Sequence, residues 1–203
     1  MRKMTRLSLV AGAAVAVIGG AMAAVPSSAA PGGGECTLHG QANFHPGPGA
    51  TSAPFAYDFG GTLSNCGDSA TGPSNFGKVT GTISAGQPLT IGGVTYQEPT
   101  PTGTGSCATG DTAGTAFVHW SDGTDTVIQY TTKSGAAGVV LQGSVLPSAT
   151  LTNGTNSATI TSTKYAGAGA AGVLAFEVAN PQQCTAGGVT TAGIDGVTGL
   201  GSQ

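Results

Sequence analysis

The stretch Gly114-Thr-Ala-Phe-Val-His-Trp-Ser-Asp-Gly-Thr-Asp-Thr-Val-Ile-Gln-Tyr-Thr-Thr132 reads as two β-strands around a tight turn. Side chains of an extended chain alternate between two faces, so Ala116, Val118 and Trp120 share one of them. Ser121-Asp122-Gly123-Thr124-Asp125 then turns the chain, with an Asp-Gly pair suited to it. The return run, Val127 to Thr132, carries Ile128 and Tyr130 on one side.

The same pattern recurs on both sides of this unit. Leu38, Gly40, Ala42 and Phe44 share a face, as do Phe55, Tyr57, Phe59 and, past Gly60-Gly61, Leu63. A Pro/Gly loop over 47–54 separates them. Val79, Gly81 and Ile83 predict a third strand, and Leu89 to Tyr96 a hairpin turning at Gly92-Gly93, a pair that accepts positive φ. Residues 99–106, Pro-Thr-Pro-Thr-Gly-Thr-Gly-Ser, read as a loop or hinge. Val139, Leu141, Gly143 and Val145 follow the quoted unit. Leu151 and Ile160 then flank an Asn153-Gly154 turn, Val173 to Val178 leads to Cys184, and a last run starts at Val189. About nine or ten strands result, with no helical periodicity. The expected fold is all-β, an antiparallel β-sandwich (immunoglobulin-like or related), with a barrel as the alternative.

The N-terminus has the three parts of an export signal. Arg2, Lys3 and Arg6 precede an apolar run from Leu7 to about Val25, and Pro26-Ser-Ser-Ala-Ala30 ends in small residues. Cleavage after Ala29 divides the chain into a signal peptide, 1–29, and a single secreted domain, 30–203. No Cys stands at the cleavage site to take a lipid, and Leu146-Pro-Ser-Ala-Thr150 lacks the glycine of a wall-sorting signal. The expectation is an extracellular protein that is not held in a membrane after cleavage.

Cleavage would remove all the arginine with the signal. Residues 30–203 keep only Lys78, Lys133 and Lys164 against nine carboxylates, a balance of −6 with His neutral. Nucleic-acid binding needs several cationic phosphate contacts, which three lysines do not supply. Charged residues make up 7% of the chain, against about 25% in an ordinary globular protein. The surface is therefore expected to be neutral and rich in hydroxyls. Envelope glycan or another secreted protein are the partners such a surface suggests.

Cys36, Cys66, Cys107 and Cys184 suggest two disulfides in an exported chain. Four cysteines allow three pairings. An internal near-repeat favours Cys36–Cys66 and Cys107–Cys184: Cys36, Gly40, Ala42 and Phe44 are echoed by Cys107, Gly114, Ala116 and Phe117, and Asn65-Cys66 by Asn180 and Cys184. Loop closure of these lengths stabilises by roughly 3.5 and 4.5 kcal/mol in the chain-entropy account.

Three segments together carry a resemblance. Cys36-Thr-Leu-His-Gly-Gln-Ala-Asn-Phe44, Tyr57-Asp-Phe-Gly-Gly-Thr-Leu-Ser-Asn-Cys66, and Gly105-Ser-Cys107 with Gly114 to Thr124 resemble a group of small secreted all-β proteins of actinobacteria. The resemblance implies an exported β domain and brings no activity or site residue with it.

No constellation in the sequence demands a reaction. Cys66-Gly-Asp-Ser69-Ala70-Thr71-Gly-Pro73 is superficially similar to the nucleophile loop of trypsin-like proteases. That chemistry needs a glycine after the serine for the oxyanion hole, where Ala70 stands. His39, His45 and His119 have no close metal-ligand spacing. Asp122-Gly-Thr-Asp125 lacks the alternating acids of a calcium loop. Glu35, Glu98 and Glu177 are the glutamates from which a glycosidase pair could come. No catalytic, cofactor-binding or metal-binding residue is assigned. The expected function is a non-enzymatic extracellular or cell-envelope binding or structural module. The alternatives are a polysaccharide hydrolase, or a protease inhibitor presenting loop 46–54 or 97–106.

Overall fold

The computed structural model describes residues 34–68, 79–135 and 138–201. The proposed signal peptide and the Ser69 loop lie outside them. The described residues form thirteen strands: β1 (Gly34–His45), β2 (Ala53–Asp68), β3 (Val79–Ala85), β4 (Pro88–Ile91), β5 (Val94–Gln97), β6 (Thr102–Gly105), β7 (Gly110–Trp120), β8 (Asp125–Gly135), β9 (Gly138–Leu146), β10 (Ser148–Asn153), β11 (Asn156–Thr161), β12 (Gly169–Glu177) and β13 (Thr191–Gly201). The one helical element among the described residues is a 3₁₀ turn, Pro181–Cys184.

The strands form a closed barrel and not a sandwich. Eight of them, β1–β2–β3–β7–β8–β9–β12–β13, run antiparallel in sequence order around a ring. The ring closes because β1 pairs with β13 on one edge and with β2 on the other. Alternation along a strand says which side chains face inward. It does not say whether the sheet splits into two layers or curls onto itself, and here it curls. Residues 102–105, expected in a loop, form β6 instead, which bridges β2 and β7 beside the shorter β3. Its sequence, Thr-Gly-Thr-Gly, has no apolar side chain to announce a strand.

Inward positions are those expected from the alternation. Leu38, Ala42, Phe44, Tyr57, Phe59, Leu63, Val118, Trp120, Ile128 and Tyr130 are all buried in one cluster. Close packing inside the ring calls for glycine on its inner wall. A Cβ on Gly40 would lie 2.7 Å from the Phe59 ring, and one on Gly114 would lie 2.8 Å from the Tyr130 hydroxyl. Both distances are too short for any larger residue without displacing an aromatic neighbour.

Two excursions leave the ring and fold back over its outer wall. The β4–β5 hairpin turns at Gly92 and Gly93, both at positive φ, and the β10–β11 hairpin turns with Gly154 at φ 58°. Together they bury the outward side chains Phe117 and Val127 in a second apolar cluster with Tyr96 and Leu151. This explains why residues 116–118 and 126–128 are apolar or buried on consecutive positions: both faces of β7 and β8 are covered here. The Asn153 amide fastens one hairpin to the other through Thr95 O at 2.7 Å.

Disulfides join Cys36 to Cys66 and Cys107 to Cys184. The first crosses adjacent strands at one end of the barrel; the second ties the β6–β7 connection to the 3₁₀ turn at the other. The near-repeat is therefore not a structural repeat. Phe44 points into the lumen, whereas its counterpart Phe117 points out under the hairpins. Two disulfides fit an oxidising compartment.

Candidate functional site

Inside the barrel, aromatic and aliphatic side chains fill most of the lumen and leave a cavity of about 80 Å³. Drug-sized ligands occupy pockets of about 300–1,000 Å³, so the lumen does not admit one. One wall of the cavity is polar. Tyr130 Oη lies 2.8 Å from Tyr57 Oη, Tyr57 Oη lies 3.1 Å from Thr112 Oγ1, and Thr112 Oγ1 lies 2.7 Å from Thr132 Oγ1. Burial pushes both tyrosine hydroxyls above their ordinary pKa, so the four-hydroxyl chain is neutral. Among the described residues no carboxylate lines the cavity.

The two ends are closed differently. At the Phe44 end, loop 46–52 is tied to the segment before β13 by Val189 N–H donating to Pro48 O at 2.9 Å. It is tied to the β6–β7 connection by Cys107 N–H donating to Gly49 O at 2.8 Å. At the Trp120 end, Tyr165 packs edge-on against the indole, with ring centroids 5.8 Å apart. Lys164 lies over both rings and extends Nζ to Asp122 Oδ2 at 2.9 Å.

The three histidines do not meet. Each stands on the outer wall beside an aspartate of a neighbouring strand. His39 is directly opposite Asp195 across β1 and β13 and hydrogen-bonds to it, which raises the imidazole pKa. His45 reaches Asp58 Oδ2 at 3.2 Å, and His119 Nδ1 reaches Asp125 Oδ1 at 2.8 Å. Among the described residues no three His, Cys, Asp or Glu side chains gather as metal ligands. Asp122-Gly-Thr-Asp125 is the β7–β8 turn. Asp122 accepts from Thr124 and Lys164, which together hold its pKa down to about 2.

The glutamates are also apart. Glu35 is at the start of β1 and Glu177 at the end of β12. Glu98 is only 1% exposed, just beyond β5 and outside the lumen. It accepts from Ser84 Oγ at 2.6 Å and from Gln87 N at 3.0 Å, fastening the β4–β5 hairpin to β3. Burial raises its pKa. Of the two inhibitor-loop candidates, 46–54 is tied into the closure of the Phe44 end and enters β2 at Ala53, and half of 97–106 is strand, Gln97 and Thr102–Gly105.

What sequence reading missed lies on the outer wall of β8, β9, β12 and β13. A shallow groove of about 400 Å³ runs over the β8–β9 pair, lined by Gln129, Thr131, Gln142 and Ser144. In register, Gln129 is opposite Ser144 and Thr131 opposite Gln142. All four are exposed and uncharged. Beside the groove, Val140 is opposite Val173 and Val173 opposite Val197, a three-valine row across three strands. Those valines are 49%, 48% and 40% exposed. Their alternation with inward neighbours was visible in the sequence, but their alignment into one row depends on register, which was not.

The fold and its surfaces define a closed, eight-stranded, up-and-down antiparallel barrel with a nearly filled lumen and a largely uncharged outer wall. The chain has no significant match among protein-family models, curated proteins or solved structures.

Proposed function

We propose that the protein is an extracellular, non-enzymatic binding module whose outer wall recognises neutral glycan. The observation that carries this reading is the pairing of an uncharged polar groove with an apolar row on adjacent strands. A neutral sugar polymer presents hydroxyl edges and apolar C–H faces. Gln129, Gln142, Ser144 and Thr131 offer amide and hydroxyl groups to the edges, and Val140, Val173 and Val197 a surface for the faces. The side chains of Gln129, Gln142 and Ser144 have no hydrogen-bond partner among the described residues, so binding would cost the protein no bond of its own. The acidic balance of residues 30–203 disfavours anionic polymers such as polyuronates. Hydrolysis is a poorer fit, because Glu35, Glu98 and Glu177 occupy three separate places.

Sedimentation with insoluble polysaccharides tests the proposal. Purified protein should deplete from solution over an insoluble neutral glycan (a β-glucan or chitin) and remain in solution with crosslinked polygalacturonate. Gln129→Ala/Gln142→Ala and Val173→Asp should each weaken depletion at least several-fold. Release of reducing sugar, or no depletion by any neutral glycan, overturns it. Fractionating a producing culture tests location: the protein is expected with the wall or the medium, and recovery in the cytoplasm overturns the extracellular assignment.

A further inference from the structure

Four of the lumen hydroxyls, those of Tyr130, Tyr57, Thr112 and Thr132, form an open chain. Each hydroxyl has one proton to donate, and the chain Tyr130–Tyr57–Thr112–Thr132 contains three hydrogen bonds. One proton is therefore left without an acceptor. Acidity says where. A phenol, with a pKa near 10, is a stronger donor than an aliphatic hydroxyl, so Tyr57 donates to Thr112. Tyr130 then donates to Tyr57 and Tyr57 to Thr112, so the unused O–H belongs to the Thr112–Thr132 pair, in which either oxygen can donate. Both threonines line the cavity. Away from this patch the lining is mostly apolar, including Leu38, Leu141 and Leu174, with Tyr165 and Thr198 as its further hydroxyl-bearing residues among the described ones.

We infer that the lumen is an internal binding site for a small, otherwise apolar molecule carrying one hydrogen-bond-accepting oxygen, such as a short-chain alcohol or ketone. Size sets the class. The cavity is about 80 Å³, roughly half the ~150 Å³ of an engineered apolar cavity that takes up benzene, and each water in the liquid occupies about 30 Å³. A guest of about three or four heavy atoms fits without displacing a side chain. Chemistry sets the rest. Among the described residues no cation lines the cavity to hold a carboxylate or phosphate, and no carboxylate lines it to hold an amine. The guest's oxygen accepts from the free O–H of the Thr112–Thr132 pair, and its hydrocarbon part lies against the leucines. This site is separate from the outer-wall groove and stands or falls independently of it.

The test is a methyl-resolved NMR titration of the full chain with 1-propanol, with dissolved xenon as a guest that has no hydrogen-bonding atom. Both should give saturable shifts at the methyls of Ile128, Leu141 and Leu174, and propanol should show cross-relaxation to those methyls and to that of Thr132. Thr132→Val keeps the shape and leaves the free O–H on Thr112; propanol cross-relaxation should concentrate at the Thr112 methyl, while xenon affinity stays the same. Ala116→Leu fills the cavity and should abolish binding of both. Linear, non-saturating shifts overturn the inference. So does cross-relaxation from water alone at Thr132, or propanol cross-relaxation that does not reach the Thr112 methyl in Thr132→Val.

Discussion

Trp120 and Thr126 face each other inside the end of the barrel, the indole N–H donating to Thr126 Oγ1 at 2.8 Å. Thr126 is itself fully buried and passes its own proton to Lys164 O at 2.9 Å. The threonine thus joins the aromatic closing β7 to the segment that closes the barrel end. Replacing it with valine keeps the volume and leaves a buried indole N–H unsatisfied. Thr126→Val should cost about 1–3 kcal/mol, read as a lower urea midpoint with an unchanged slope. Because Trp120 is the single tryptophan, its emission should report the change directly.

Glu98 is predicted to make stability depend on pH in a particular direction. Burial raises its folded pKa above the unfolded value, so the folded state holds the proton more tightly. As far as this group is concerned, stability is then greatest at or below the ordinary value of 4.5 and declines as pH rises through the folded pKa. In the Glu98→Gln variant the side chain resembles the protonated acid, its amide donating to Ser84 and its carbonyl accepting from Gln87. Glu98→Gln should flatten the alkaline side of the thermal-stability profile, whereas Glu98→Ala should lower stability at every pH. An unchanged profile in Glu98→Gln would remove Glu98 as the cause.

Asp122 acts with the opposite sign. Thr124 and Lys164 depress its pKa to about 2, so its contribution is fully present above the unfolded value of 3.8 and is lost as pH falls toward 2. Its side chain is 45% exposed, and solvent limits the pair to at most about 1 kcal/mol. Asp122→Asn and Lys164→Met should both shift the acid-unfolding midpoint upward by a few tenths of a pH unit. The double variant should show no further shift.

The two disulfides are predicted to differ in accessibility. Cys36 and Cys66 are 6% and 4% exposed within the barrel, while Cys107 lies at the surface. Mild reductant should open Cys107–Cys184 first and leave the barrel spectrum intact. Chain-entropy reasoning assigns this 77-residue separation about 4.5 kcal/mol. Its loss should therefore lower the melting temperature while the cap loosens. Alkylation of Cys36 ahead of Cys107 would contradict the ordering.

Much of the barrel wall was legible in sequence because most of its strands alternate, although β6 carries no apolar side chain and parts of β7 and β8 are buried on both faces. Leu38, Ala42 and Phe44 had to share a face, and Gly92-Gly93 and Asn153-Gly154 had to be turns. Closure was not legible, since it depends on β1 finding β13, a pairing set by curvature and register and not by period. The glycines on the inward faces, Gly40 under Phe59 and Gly114 beside Tyr130, are a signal for tight curling that alternation alone does not weigh. The outer groove and its valine row were hidden for a related reason. Val140, Val173 and Val197 come from three strands, and only their register makes them one row. Phe117 and Val127, apolar among already inward neighbours, did hint that something covers the outer wall.

The join between β1 and β13 has one more consequence. Gly34 pairs with Leu200, so the ring is completed by segments from opposite ends of the described chain. During vectorial synthesis or passage through a narrow channel, every earlier strand can emerge while two sheet edges stay open. The barrel can then lock only once its last strand is free to reach the first. Residues 191–201 act as the latch, and a chain stopped short of them would present two unpaired edges to its neighbours.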